Sequence, residues 1–427
     1  MNYENMENSK YMMSNIKILA VLLLLLPLQL LSQTNQVLSL DTILQRIDKK
    51  NVLLQSYSLK AEGYKYSADA ATAWMAPMVG VGTFMTPYPF QEVMDDRDKG
   101  SLMFRVEQDI PNVGKLNKKK KFIQSQGNIE KATRIVTLND YKAQAKQLYY
   151  SWMVAEERMK VLDQNEKIMQ TMKKIEEVRY PYNQSQLGNV YKIDARIEEN
   201  KNMIRMQEGE IAKARAWLNS LMNQPGNADF SIDTSITPVF NPALHDTTSL
   251  AAVRGDIKKM DAGIESMQLS IQAMKSEKNP SFKIQFDHMN SFDKMMPKAY
   301  SLMAMMSIPI APWSSKMYKS DVKAMQYNVQ AMEKEKSAML QETQGMLYGM
   351  QYEILTMQKR IQGLETKIIP SMQKSLDVNF LNYQENKLQI PVVIDSWEAL
   401  NMLQNNLLDE KLKLYQMIVD YEKELYR

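Results

Sequence analysis

The chain has 427 residues, of which 44% are hydrophobic, so it is long enough to bury a sizeable core and wholesale disorder is excluded. Its 53 lysines and arginines nearly balance its 49 aspartates and glutamates, and a net charge of +4 gives no indication of nucleic-acid binding. Cysteine is absent, which excludes disulfides, thiolate metal sites, a cysteine nucleophile and lipidation through a cysteine.

An apolar segment near the N-terminus is typical of a secretory signal peptide. It covers residues 18–31, follows Lys10 and Lys17, and is interrupted by Pro27 and Gln29. We therefore predict a signal peptide over residues 1–32. A membrane anchor is the alternative, and the short length of the segment argues against it. No later segment is a candidate membrane helix, so any crossing has to be made by strands in a closed barrel.

Residues 33–222 are predicted to form a helix, a β-hairpin, a long helix and a return helix. Apolar residues recur with helical spacing from about residue 38 to residue 74. Between residues 77 and 110 the pattern becomes that of two strands. Residues 116–180 contain no proline and one glycine, which predicts one helix of roughly 100 Å, ending at about residue 182, at about 1.5 Å per residue. A break then precedes a return helix over about residues 190–222.

The same order of elements recurs after a linker over residues 223–248, which is rich in Pro, Asp and Thr. Residues 249–427 are predicted to contain a helix, a β-hairpin (281–310), a long helix (about 315–380) and a return helix. Three residues of the first unit recur 201 positions later: Tyr182, Leu187 and Asp194 correspond to Tyr383, Leu388 and Asp395. The sequence therefore predicts an internal two-fold repeat.

The predicted strands have one apolar and one polar face. In the third strand Phe282, Ile284, Phe286 and His288 alternate with Lys283, Gln285 and Asp287, and in the second Leu102, Phe104 and Val106 alternate with Met103, Arg105 and Glu107. Each strand has the length, roughly 9 to 11 residues, of a tilted membrane-spanning strand. Four strands cannot close a barrel, so several chains are expected to share one. Five polar residues are then expected to face its lumen: Arg105, Glu107, Lys283, Gln285 and Asp287. A soluble sheet capping a coiled coil is the alternative.

The break before each return helix resembles a known family. Tyr182-Asn-Gln-Ser185 leads to Asp194, and Tyr383-Gln-Glu-Asn386 leads to Asp395. Together with the two-fold order of elements, these segments resemble the TolC family of outer-membrane efflux proteins over nearly the whole mature length. The resemblance implies an α+β membrane protein whose long antiparallel coiled-coil helices form a periplasmic α-barrel. It also implies four transmembrane β-strands per chain.

This resemblance further implies a homotrimer with a twelve-stranded barrel in the outer membrane and a helical tunnel in the periplasm. The implied partners are a periplasmic adaptor (membrane fusion protein), an inner-membrane pump and outer-membrane lipid, with no cofactor and no nucleic acid. Family members constrict at the periplasmic tip, and the corresponding gate candidates are Arg179, Tyr182, Tyr383, Glu385 and Lys387. Turn capping with solvated charges is the alternative role for each of them.

Both tips lack the family's turn glycine, where this chain has Ser185 and Asn386. Asparagine tolerates the left-handed conformation, so the second turn is expected at Asn386. The first turn is expected at Ser185 or, alternatively, at Gly188, because glycine adopts that conformation without steric cost.

The chain is rich in methionine, with 35 residues. Met325, Met332, Met339 and Met346 follow heptad spacing, so they share one stripe on the second long helix. Thioethers bind Cu(I) and Ag(I), which makes heavy-metal efflux a hypothesis, although methionine also packs well in irregular cores. In the first unit, four consecutive lysines follow the second predicted strand. Lys118–Lys121 are expected either to reach anionic lipid headgroups or to form a solvated face.

The sequence gives little support for an enzyme. Only two histidines occur, and no catalytic triad, zinc motif, phosphate loop or dinucleotide fingerprint is present. The preferred hypothesis is the outer-membrane channel of a tripartite efflux system, of the RND type or type I secretion type, acting as a passive export duct. The alternative is a soluble periplasmic coiled-coil scaffold or adaptor.

Overall fold

The computed structural model describes residues 37–182 and 185–426, and the predicted signal peptide lies outside them. Its helices are α1 Leu40–Lys50, α2 Val52–Ala70, α3 Val113–Arg179, α4 Leu187–Leu221, α5 Thr247–Val253, α6 Gly255–Lys275, α7 Pro312–Gly363, α8 Ile369–Gln384 and α9 Ile390–Glu424. Its strands are β1 Val37–Leu38, β2 Met78–Phe84, β3 Ser101–Ile110, β4 Ser231–Ile232, β5 Phe282–Ser291 and β6 Ala299–Met306. Among the described helices, none has both the length and the apolar character needed to cross a bilayer.

The central element of the bundle is α3, a continuous helix of 67 residues. Asn112 caps its first turn, because the Asn112 side chain accepts a hydrogen bond from the Lys115 amide at 3.3 Å. Helices α2, α4, α6 and α9 all pack along α3. No proline interrupts this helix, which explains why the sequence pattern located it well.

The second long helix is interrupted, whereas the sequence predicted one helix over residues 315–380. A π-helical turn, Leu364–Ile368, separates α7 from α8, and Pro370 follows in the first turn of α8. Proline has no amide hydrogen and its ring clashes with the preceding turn of an α-helix. The wider π-helical turn accommodates both effects, so the second long helix contains an irregular turn that α3 lacks.

Two predicted helices are each divided by a single buried capping residue. Asn51 separates α1 from α2: its side-chain oxygen accepts from the Leu53 amide at 3.0 Å, and its amide group donates to the Leu221 carbonyl at 3.0 Å. The buried Arg254 separates α5 from α6 and forms an ion pair with the partly buried Glu424 at 2.8 Å. Apolar spacing continues across both breaks, so periodicity alone did not detect them.

The two β-hairpins form one antiparallel sheet in the order β2-β3-β5-β6. Strands β3 and β5 join the hairpins, with Arg105 opposite Asp287 and Val106 opposite Phe286. A separate parallel pair, β1 with β4, ties the start of the described chain to the linker between the two halves. The linker was predicted without a strand, because a two-residue strand leaves no periodic signal in sequence.

Two hydrophobic cores lie along the helical bundle. The larger core includes α1, the middle of α3 and the C-terminal part of α9. The smaller core joins the ends of α3, α4, α8 and α9 near the two interhelical turns. Tyr149 in the larger core donates to the Asp233 carbonyl at 2.6 Å, and burial raises its pKa to about 12. The smaller core contains residues of the two helical tips and none from the linker or the sheet.

Candidate functional site

A buried carboxylate joins the two helical tips. Glu176, in the last turn of α3, is 1% exposed. It accepts hydrogen bonds from the Tyr383 hydroxyl, the Ser185 hydroxyl and, at 3.2 Å, the Asn189 side-chain amide. These donors come from the end of α8, from the first interhelical turn and from α4. A single carboxylate thus connects three chain segments, and three donors compensate the cost of burying its charge.

Tyr383 contributes more than a hydroxyl donor to this cluster. Its side chain is 2% exposed and forms part of the smaller core. Burial raises the pKa of Tyr383, and the hydrogen bond to Glu176 raises it further. The phenol therefore remains protonated and able to donate throughout the physiological pH range.

Arg179 covers the other side of Tyr383. Its guanidinium carbon lies 4.3 Å from the centre of the Tyr383 ring, which is a cation–π distance. Its two terminal nitrogens donate to the Tyr383 carbonyl at 3.1 Å and to the Gln384 carbonyl at 3.0 Å. These carbonyls lie at the C-terminal end of α8, where a cation is electrostatically favourable. The Arg179 side chain therefore fixes the second tip onto the end of α3.

A groove of about 720 Å³ opens beside this cluster and is lined by residues of both tips. Lys387 lies on its rim and forms an ion pair with Glu385 at 2.5 Å. Both side chains are largely exposed, so this pair contributes little to stability. Tyr182 is 74% exposed and is not among the groove-lining residues. Of the five gate candidates, the structure brings Arg179 and Tyr383 together in the buried cluster and leaves the other three at the surface.

The three predicted turn residues, Ser185, Gly188 and Asn386, differ in where they lie relative to the helix ends. Asn386 has a φ angle of 57°, and the Lys387 amide donates to the Asn382 carbonyl at 2.8 Å, which closes a Schellman turn after α8. Gly188 lies inside the first turn of α4 and not at a left-handed position, so the expectation of a turn there is corrected. Ser185 precedes α4 and its hydroxyl is directed to Glu176.

Ion pairs connect the tip helices above the cluster. Lys173 of α3 contacts Asp194 of α4 at 2.6 Å, and this contact raises the pKa of the lysine. Arg196 of α4 contacts Glu398 of α9 at 2.7 Å. In each pair at least one side chain is more than one-third exposed, so the pairs contribute little to the free energy of unfolding. Their main effect is to align the helices.

Sequence reasoning missed Glu176 and Asn189. A signal for Glu176 was present, because Asn165, Met169 and Met172 precede it at helical spacing on the buried face of α3. A carboxylate on such a face requires buried partners. Asn189 left no comparable signal, since its role depends on the position of the first turn of α4.

The polar face of the sheet forms a connected network. Arg105 contacts Asp287 at 2.7 Å, Lys283 contacts Glu107 at 2.9 Å, and Gln285 donates to Asp287 at 2.8 Å. All five predicted lumen residues therefore lie on one face. Gln285 and Asp287 are 8% and 4% exposed, whereas the apolar face is open: Ile284, Phe286 and Val106 are each 42% exposed. This sheet is inverted relative to a soluble protein, because its apolar face is the more exposed one.

The methionine stripe packs largely against neighbouring groups. The Met325 sulfur lies 4.0 Å from the Ser270 hydroxyl, and the Met332 methyl group lies beside Gly263 on α6. Met339 packs against the larger core, and Met346 is 39% exposed. Helix packing therefore accounts for most of the stripe. Within residues 37–182 and 185–426, no group of three or more His, Cys, Asp or Glu side chains is placed to hold a metal ion.

Comparisons with known proteins identify the fold. No family sequence model and no curated protein sequence matches the chain. Several solved structures match over most of its length. CusC, whose structures concern folding and transmembrane channel formation, has 15% identity and a TM-score of 0.73, covering 90% of this chain and 91% of its own. The outer-membrane protein VceC of Vibrio cholerae has 13% identity and a TM-score of 0.69, with coverages of 90% and 95%.

The MtrE outer-membrane channel of Neisseria gonorrhoeae, solved in its open state, has 14% identity, a TM-score of 0.67 and coverages of 91% and 88%. At these identities the likeness establishes the fold. The chain therefore has the fold of the outer-membrane channels, and the resemblance to the TolC family is confirmed at the level of the fold.

Proposed function

We propose that the chain is one subunit of a passive export duct in the outer membrane, with its helical bundle in the periplasm. The inverted four-stranded sheet carries this proposal. An apolar face that is more exposed than the polar face is stable in contact with lipid, and a polar face lined by paired charges suits a water-filled lumen. The fold shared with outer-membrane channels supports the same role.

The functional unit we propose is a homotrimer. Strands β2 and β6 lie at the edges of the four-stranded sheet. An unpaired edge is not stable in lipid, because no water satisfies its backbone groups. Pairing β6 of one chain with β2 of the next closes a barrel of twelve strands when three chains assemble. A periplasmic adaptor and an inner-membrane pump are the partners proposed for the helical end, and the pump selects the cargo.

We further propose that the two halves of the chain arose by duplication and that the helical tips form the gate. The cluster of Glu176, Tyr383 and Arg179 then acts as a latch between the first and second tip. Its opening exchanges the buried hydrogen bonds of Glu176 for contacts with water.

Neighbouring residues on β6 provide the test of the membrane-spanning sheet. Met303 is opposite Gln285 on the polar face, and Leu302 is opposite Phe286 on the apolar face. Both are exposed in one chain, at 45% and 68%, so exposure alone does not separate them. The chain lacks cysteine, so Met303→Cys and Leu302→Cys are single reactive sites without further changes.

In isolated outer membranes, Met303→Cys is expected to react with a charged thiol reagent through the aqueous lumen. Leu302→Cys is expected to react only after solubilisation. Heat-modifiable migration on gels checks the folded oligomer in both variants. Recovery of the mature protein in the soluble periplasm, with equal labelling of both cysteines, would instead establish the scaffold or adaptor and overturn the duct.

A further inference from the structure

A basic collar surrounds the helices at the level where they meet the sheet. At this level α2 and α6 end, and α3 and α7 begin. Residues 61–70, 113–122, 266–278 and 312–321 together contain ten lysines and four acidic residues. The residues between these four ranges and the strands (71–77, 111–112, 279–281 and 307–311) carry no charged side chain. Because the whole chain has a net charge of only +4, its positive excess is concentrated in this collar.

The collar is only partly neutralised by the protein itself. Lys120 pairs with Asp69 at 2.6 Å, and Lys115 pairs with Glu277 at 2.7 Å. Lys121, Lys316 and Lys319 are exposed, and within the described part of the chain no carboxylate lies within ion-pair distance of them. The consecutive lysines at 118–121 are separated by about 100° steps around α3, so they point to all sides of that helix. The collar therefore presents positive charge outward.

Large exposed apolar side chains lie between this collar and the sheet. Trp74, in the connector from α2 to β2, is 56% exposed, and Trp313, at the start of α7, is 83% exposed. Ile308 and Ile310, in the connector from β6 to α7, are 64% and 67% exposed. Along the molecule, the apolar sheet face is thus followed by tryptophans and then by lysines. Membrane proteins show this order where they pass from hydrocarbon to headgroups.

We propose that the collar binds the headgroups of anionic phospholipids at the membrane surface on the helical side of the sheet. This proposal rests on the proposed function, because it needs the sheet to be in the bilayer. Charge complementarity favours an anionic headgroup, and the neighbouring tryptophans favour a lipid over an acidic protein, since indole rings are enriched at the headgroup level. The lysine stems lie along the apolar surface and the ammonium groups reach the phosphates.

The test compares two triple variants with equal loss of charge. Lys121→Gln/Lys316→Gln/Lys319→Gln removes collar charges that lack partners. Lys167→Gln/Lys201→Gln/Lys213→Gln is the matched control, because these lysines are exposed on α3 and α4 far from the sheet. Each full-length mature protein is reconstituted in phosphatidylcholine vesicles. Spin-labelled phosphatidylglycerol and spin-labelled phosphatidylcholine then report the preference for the anionic lipid.

The wild type and the control variant are expected to bind phosphatidylglycerol in preference to phosphatidylcholine. In the collar variant the ratio of the two affinities is expected to fall at least about threefold. High salt should weaken the wild-type preference as well. Equal preference in the wild type and the collar variant would overturn the proposal, as would an equal loss in the control variant. An acidic protein partner is indicated instead if only adaptor binding changes. If the wild type does not insert into the vesicles, both the lipid-binding collar and the proposed duct are wrong. If it inserts but does not prefer phosphatidylglycerol, only the proposal of lipid binding by the collar is wrong.

Discussion

The two helical tips of the chain are equivalent in sequence position but differ in structure. The first tip, between α3 and α4, carries Tyr182 at 74% exposure, and the second, between α8 and α9, carries Tyr383 at 2% exposure. These tyrosines are 201 positions apart. The difference lies in their partners, because Tyr383 finds the buried Glu176 of the first tip.

The helices that lead to the tips differ in the same direction. Helix α3 is continuous up to the first tip, whereas a π-helical turn and Pro370 interrupt the helix that leads to the second. Such a turn is a point of bending, because it weakens the regular hydrogen bonding of the helix. The hydrogen-bond acceptor Glu176 thus lies on a continuous helix, whereas the donor Tyr383 lies on a helix that follows a point of bending. We infer that opening moves the second tip away from the first.

Removal of the acceptor is expected to have the largest effect on this arrangement. Glu176→Ala leaves the buried Tyr383 hydroxyl and two other donors without a partner. We expect the tips to lose about 3 kcal/mol or more of local stability, equivalent to about a hundredfold fall in amide hydrogen-exchange protection over residues 376–394. Purified channels in planar bilayers should also conduct more.

Glu177→Ala is the control for this variant. Glu177 follows directly on α3, but its side chain is 53% exposed and lies 3.7 Å from Lys173. Little change is expected, since an exposed pair of this kind contributes at most about 1 kcal/mol. Equal protection in Glu176→Ala and Glu177→Ala would contradict a latch at Glu176.

Removal of the donor alone should have a smaller effect. Tyr383→Phe keeps the ring, its place in the core and its contact with Arg179, while Ser185 and Asn189 continue to compensate Glu176. The expected loss is about 1.5 kcal/mol, or about tenfold in protection, as for one hydrogen bond to a charged group.

Tyr182→Phe makes the same chemical change in the first tip. Its side chain is exposed, so protection and conductance should remain at wild-type values. If both phenylalanine variants had the same effect, the two tips would be equivalent and the comparison between them would fail.

The two turns offer a finer comparison. Asn386 has a φ angle of 57°, a left-handed conformation that asparagine tolerates better than alanine. Asn386→Ala should therefore lower the free energy of unfolding by about 1 kcal/mol. Gly188→Ala has the opposite sign, because Gly188 is helical and an added Cβ meets nothing within 4 Å. It should stabilise the first tip by up to about 1 kcal/mol. Thermal unfolding of both variants checks the signs, and destabilisation by Gly188→Ala would show that this glycine is needed at the turn.

The sequence predicted the first long helix, the paired hairpins and the polar face of the sheet, since each repeats a period over many residues. Glycine spacing did not predict the first turn, because Ser185 and Gly188 were alternatives that only the start of α4 distinguishes. The breaks at Asn51 and Arg254 are associated with hydrogen bonds to residues 170 positions away in the sequence.

Only part of the proposed latch was anticipated from the sequence, for a related reason. Tyr383 and Arg179 were gate candidates because the resemblance to the TolC family implies a constriction at the tips. Their acceptor was missed because Glu176 lies on a helical face among methionines, and its partners come from two other segments. Contacts between distant segments of this kind leave no local pattern. A charged residue at a buried helical position is the sign that they exist.

Alkaline pH provides the smallest and most specific test of the difference between the tips. Burial raises the pKa of Tyr383 above the ordinary tyrosine value of 10.0. A raised pKa in the folded state means that the protonated phenol is favoured there, so its contribution is fully present below pH 10 and is lost as pH rises through the higher folded-state pKa.

The difference in thermal unfolding temperature between the wild type and Tyr383→Phe should therefore remain constant from pH 7 to the ordinary tyrosine value. Above that value it should decrease, because the phenol ionises in the unfolded chain while the folded state, beside Glu176, keeps it protonated. Tyr182→Phe should match the wild type over the neutral range. A difference that already decreases between pH 7 and pH 9 would show that Tyr383 is not a protonated donor to a buried carboxylate, and the second tip would then be held mainly by Arg179 and by packing.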